Sequence, residues 1–194
     1  MQINKPENTL QNISVGSKEI NAARVAFFLP GFVISTWAPM IPMVKARLSL
    51  EADVLGLLLL CIGISAFIFM PLAGALVQRY GCKKVVITGS TLMALISVLL
   101  SCLPNIWSYA IALAFFGAVM GATDVSMNTN AVIVEKLAGR RLLSGMHAFW
   151  SIGCFASAGL FSVLASSGLD VTLIATLHCA IVLALLAVFG RHLL

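Results

Sequence analysis

Charge is what this chain has least of. Only 10% of its 194 residues are Asp, Glu, Lys or Arg, against about 25% in an ordinary globular domain. A soluble fold must cover its core with polar surface, so this scarcity excludes one. Hydrophobic residues make up 60%, and the charges gather in short clusters between apolar runs long enough to cross a bilayer. A basic face is missing too: the net charge of +5 is divided among separated loops, which excludes nucleic acid as a partner. The five cysteines (Cys61, Cys82, Cys102, Cys154, Cys179) are odd in number and lack zinc-type pairing, and all but Cys82 lie inside apolar runs. They read as small packing residues, giving neither a disulfide frame nor a metal site. No nucleophile–base pair stands out, so neither enzymatic chemistry nor a cofactor is expected. The partner that this composition demands is the lipid bilayer.

Residues 1–22, rich in Asn, Gln, Ser, Glu and Lys, have too little apolar content to bury and are expected to form a polar tail. The first apolar run is long and leads directly to Lys45 and Arg47 instead of a small-residue cleavage site. It is therefore a retained span rather than a secretory signal.

A helix needs about 20 predominantly apolar residues to cross the hydrocarbon core. Six stretches qualify within the bundle 23–194: roughly 23–44, 54–77, 85–103, 106–134, 142–165 and 171–190. Their short connections allow only antiparallel neighbours. Lys and Arg are retained on the cytoplasmic side. With the N-terminus inside, only Lys45 and Arg47 of the 12 basic residues fall outside. Both termini are thus expected in the cytoplasm, and a cell membrane of the bacterial inner type is the expected location. In the first span Pro30, Pro39 and Pro42 each remove a backbone donor, so that this helix either kinks or ends near Pro39 and Pro42.

Of the seven acidic residues, Asp124 alone lies in the interior of a span. Insertion of an Asp at a helix centre costs roughly 2.5 to 3.5 kcal/mol, so it should face protein or a watery cavity, where it can serve as a proton or substrate group. Gly117, Gly121, Asp124, Asn128 and Ala131 recur at helical spacing and share one face. The glycines permit close helix approach, and Asp124 and Asn128, one turn apart, suit a polyhydroxylated or amine-bearing solute. For Asn128, and for Asp124 as well, interhelical hydrogen bonding without a transport role is the competing reading.

His147 and Ser151 are likewise one turn apart in the fifth span, with Trp150 and Cys154 on nearly the same face. They form either a second cavity wall or ordinary packing. Trp37, near the middle of the first span with Ser35 and Thr36, is either a stacking wall for a ring-shaped solute or a filler between helices. His178 has no polar neighbour at helical spacing and reads as structural.

The loop between the second and third spans runs Gly74-Ala-Leu-Val-Gln78-Arg79-Tyr80-Gly81-Cys-Lys83-Lys84. Gly74 suits tight packing, Gly81 a turn with positive φ, and Arg79 and Lys83 the carbonyls at helix C-termini. This pattern resembles the signature of the major facilitator superfamily in the same loop: a glycine, four residues on an acid, then Arg, a second glycine and basic residues. Gln78 stands where the family usually has Asp, which weakens the charged gating latch that the resemblance implies. Pro30-Gly-Phe and Trp37-Ala-Pro39-Met-Ile-Pro42, followed by Lys45-Ala-Arg47-Leu, resemble the MosC-like and YbjJ-like branch, related to fucose permeases. The run Gly117, Gly121, Asp124, Asn128 is similar to the sugar-permease arrangement, in which an acid in this helix handles substrate and proton. The fourth span lacks the Arg of many proton-coupled members, and the fifth lacks the Gly-Pro motif of drug antiporters.

The resemblance implies an all-α membrane protein: six transmembrane helices forming the N-terminal half of a major facilitator fold. Spans one, two, four and five would line a cavity, with three and six outside. It implies secondary transport of a small polar solute, such as a sugar or inositol derivative, with proton symport as an option. Alternating access requires two halves, so a second six-span half or a homodimer partner is expected. The alternative is a truncated, transport-inactive fragment or an interaction subunit.

Overall fold

The computed structural model describes residues 15–194. Its elements are all helical: α1 (Ser17–Trp37), a 3-10 turn (Ala38–Met40), α2 (Ile41–Arg47), α3 (Ala52–Tyr80), α4 (Cys82–Cys102), α5 (Ile106–Ala138), α6 (Leu143–Ser166), α7 (Val171–Phe189) and a last 3-10 turn (Gly190–His192). α1 and α2 form one stretch, Ser17–Arg47, giving six helices long and apolar enough to cross a membrane.

Helix α1 starts inside the segment 1–22 expected to be a polar tail; residues 1–14 of that segment lie outside the described residues. The Gly16 N–H donates to Glu19 Oε2 at 2.8 Å, satisfying a donor at the helix start. Ile20 and Ala22 are buried, so this polar stretch contributes core residues that composition alone hides. The prolines do not end the first span, which is interrupted only by the 3-10 turn. Pro30 sits inside α1, while Pro39 and Pro42 fall in the first two positions of the 3-10 turn and of α2, where a missing N–H costs little.

Helix starts elsewhere are fixed by side chains that accept from orphaned N–H groups. Asn105 accepts from Ser108 N at 2.9 Å, and Asp170 from Thr172 N at 2.8 Å. Glu135 does the same for its neighbour: its Oε2 accepts from Leu142 N at 2.6 Å and Leu143 N at 2.8 Å, tying the end of α5 to the start of α6. Across the molecule, Arg47 donates to the carbonyls of Leu100 and Ser101 at the end of α4, the place where a cation offsets unpaired acceptors.

Helices α1 and α5 form the centre. α1 packs most extensively on α6 and α3 on α5, with α4 and α7 closing the back. Both main seams are made by glycine. A Cβ on Gly31 would strike the Trp150 carbonyl, and one on Gly153 the Phe28 carbonyl. On the other side, a Cβ on Gly117 would strike the Ile62 carbonyl, and one on Gly121 would lie 2.6 Å from that of Ala66. Such small residues let backbones approach in lipid, where no hydrophobic force holds helices together. One core cluster gathers Phe32, Trp37, Tyr109 and Phe116; a second gathers Phe27, Met127, Val134 and Met146. Buried His178 is structural: its Nδ1 lies 2.9 Å from the Ile174 carbonyl and its Nε2 3.3 Å from that of Ser157.

Candidate functional site

Asp124 lies near the middle of the 33-residue α5 and is half-buried. It faces a cavity of about 440 Å³ walled by Pro30 and Ile34 of α1, Met70 of α3, Met120 and Met127 of α5, and His147 and Trp150 of α6. Every wall comes from the first, second, fourth and fifth spans. The wall is mainly apolar, with Asp124 and His147 as its ionisable groups, which suits a ligand site where a few polar groups fix orientation.

A shallower groove of about 600 Å³ continues from Asp124 along α5 past Asn128, Thr129 and Val132 to Lys136 at the helix end. Asp124 thus stands where the cavity meets the groove. Asn128 belongs to the groove, and its Nδ2 donates at 2.9 Å to the Asp124 backbone carbonyl. That bond lies within α5, not between helices.

The glycine–acid stripe is one face of α5 with changing neighbours. Gly117 and Gly121 press on α3, Asp124 and Asn128 face open space, and Ala131 is fully buried in the second core cluster. His147 lies about one turn inside α6, its ring edge-on to Phe27 at 4.9 Å between centroids. Trp150 contributes its side chain to the cavity while its carbonyl meets Gly31.

Two sequence candidates lie elsewhere. Trp37 is buried in the core, its Nε1 donating to Tyr109 Oη at 3.0 Å and its ring 6.2 Å from that of Phe116. It fills the gap between α1 and α5 and does not line the cavity. Ser151 is exposed on α6, outside the cavity wall. Conversely, the methionines were missed. Met120 and Met127 flank Asp124 at helical spacing, a signal available in the sequence, whereas Met70 arrives from α3 only through tertiary packing.

The loop pattern is separate from this cavity. Gly81 caps α3 with φ 83° and ψ 154°, a region essentially reserved for glycine. Gln78 and Arg79 are exposed, and the Arg79 guanidinium lies 5.3 Å from the Tyr80 ring centroid. The tight packing expected at Gly74 is not made among the described residues: a Cβ there would meet nothing within 4 Å. Lys83 caps carbonyls, though those in and just after the last 3-10 turn, not of α3. Its Nζ donates to Arg191 O at 2.5 Å and Leu193 O at 3.2 Å, because α4 starts beside the end of the final span.

Comparison with known proteins agrees with this architecture. The family model described as Major Facilitator Superfamily matches residues 25–194. An uncharacterized MFS-type transporter of Yersinia pestis is 41% identical over 91% of this chain and 47% of its own length. Membrane protein MosC of Rhizobium meliloti is 31% identical over 82% of this chain and 41% of its own length. An uncharacterized transporter of Sinorhizobium fredii is 35% identical over 68% of this chain and 35% of its own length. No solved structure matches the chain at a significant level. The chain spans less than half the length of these curated relatives. With six apolar helices, a cavity walled by the first, second, fourth and fifth, and a family match over nearly all of its length, this integral membrane chain belongs to the Major Facilitator Superfamily of transporters.

Proposed function

We propose that this chain forms one six-span half of a secondary transporter for a small polar solute, of the sugar or inositol-derivative class. The observation that carries the reading is Asp124, an acid near the middle of a spanning helix, facing a mainly apolar cavity that also holds His147 and Trp150. An acid is expensive at this depth, and its retention there fits a group that exchanges a proton or grips a polar solute. In this reading Trp150 supplies a face for a ring-shaped solute, His147 supplies a second proton-exchanging group, and Asn128 extends polar contacts along the groove. The Gln78–Lys83 loop acts in gating through its backbone turn and cations, without the usual acid.

Transport by alternating access needs a second half closing over this cavity, supplied by another six-span segment or a second copy. The bacterial inner membrane with both termini cytoplasmic is the location that the distribution of basic residues supports. The test is uptake of a labelled panel of sugars and inositol derivatives into proteoliposomes by the complete two-half assembly, with and without a pH gradient. Asp124→Asn is expected to abolish gradient-driven uptake. Unchanged uptake and unchanged pH dependence in that variant would remove Asp124 from the mechanism.

A further inference from the structure

Helices α3 and α4 diverge from Gly81, and each packs far more on α5 than on the other. Gly89 seats α4 against Thr123 of α5, so the floor between the diverging helices is the α5 surface at Val119 and Ala122. The result is a cavity of about 390 Å³ with Leu76 and Tyr80 on one wall and Lys84, Thr88 and Leu92 on the other. From Lys84 to Leu92 it penetrates about 12 Å at the rise of an α-helix.

The two ends of this crevice differ chemically. Its depth is almost wholly apolar, and water there would find few of the polar partners that it needs. Its mouth lies at the α3–α4 loop, where Lys84 lines the opening and Tyr80 stands beside it. Arg79 rests over the Tyr80 ring. Lys83 is committed to the carbonyls of Arg191 and Leu193, whereas Lys84 lines the crevice and Arg79 adjoins it over the Tyr80 ring. No acid occurs between Asp53 and Asp124 in the sequence, and Gln78 stands in the loop itself, so these cations face no local carboxylate from their own helices.

We propose that the α3–α4 crevice is a binding site for one anionic phospholipid, with an acyl chain lying along Leu76 and Leu92 and the headgroup phosphate held by Lys84 and Arg79. Charge complementarity selects the occupant. A cationic mouth at the membrane surface attracts an anionic headgroup by about 1 kcal/mol per basic side chain, while the apolar depth accepts the attached chain. A soluble phosphate would satisfy the mouth alone, and a zwitterionic lipid would gain no net charge attraction.

The test is native mass spectrometry of the full chain in detergent micelles doped with equal phosphatidylglycerol and phosphatidylcholine. Wild-type chain is expected to retain phosphatidylglycerol preferentially. Lys84→Gln should lower that retention about five-fold, the equivalent of one such cation, leaving phosphatidylcholine unchanged. Thr88→Trp, at an exposed position on the crevice wall, should lower retention of both lipids by filling the chain slot. Leu76→Trp fills it from the opposite wall and replaces Thr88→Trp if that variant loses helicity by circular dichroism. Equal retention of the two lipids by wild-type chain overturns the proposal. So does an effect of Lys84→Gln without one from the plugging variant, which means surface attraction only. The reverse result, plugging effective and charge removal silent, means an apolar slot without headgroup recognition and overturns it equally.

Discussion

The indole N–H of Trp37 donates to the hydroxyl of Tyr109 across 3.0 Å, joining α1 to α5 inside the core. Both residues are nearly inaccessible, so no water can replace either partner. Tyr109→Phe therefore leaves a buried donor unsatisfied. Interhelical hydrogen bonds in membranes average about 0.6 kcal/mol and reach about 1.7. A loss of about 1 kcal/mol in detergent-solubilised stability is expected, read from thermal unfolding, with the Asp124 cavity unaffected.

The glycine seams separate positions that look alike in sequence. Gly31→Ala and Gly153→Ala drive a methyl group into the carbonyls of Trp150 and Phe28, and overpacking of this kind costs about 1–3 kcal/mol. Gly74→Ala meets nothing within 4 Å and removes a glycine from a helix, which should be neutral or stabilising by about 0.5–1 kcal/mol. Thermal unfolding of the three variants side by side checks the contrast; equal effects would mean that the seams do not pack as described.

Gly81→Ala should be costly for a different reason. Nothing crowds this residue, but φ 83° with ψ 154° is a conformation that an L side chain resists, at a cost of about 1–3 kcal/mol. Hydrogen exchange at the last turn of α3 and the first of α4 should accelerate in this variant, while the α5–α6 junction held by Glu135 keeps wild-type protection.

Thiol accessibility reports orientation. Cys102 is exposed at the end of α4, whereas Cys82 and Cys179 are buried. With the N-terminus inside, a membrane-impermeant maleimide added to intact cells should label Cys102 and spare Cys82. Labelling of Cys102 only in inverted vesicles would reverse the topology.

The spans were legible in the sequence because hydropathy is summed over about 20 residues and tolerates local exceptions. Asp124 was legible because an acid inside such a run has few structural excuses. What sequence leaves open is the direction in which an aromatic side chain points. For Trp37 the filler alternative holds, and only the presence of Tyr109 on the facing helix decides that it is core. Trp150, by contrast, reaches the cavity because Gly31 lets the α6 backbone sit flush against α1. The start of α1 was hidden for a related reason: Ile20 and Ala22 are too few to register as hydropathy, yet both are buried in the second core cluster, on different faces of the helix.

The two glycine seams also bear on motion. Backbones brought into contact by glycine leave little room for sliding, so the α1–α6 and α3–α5 pairs are expected to move as two leaves. Asp124 and Met70 belong to one leaf, and Pro30, His147 and Trp150 to the other. The cavity is the gap between these two pairs, so its width follows their separation as well as the side chains of Met70, Met120, Met127 and Trp150 that line it.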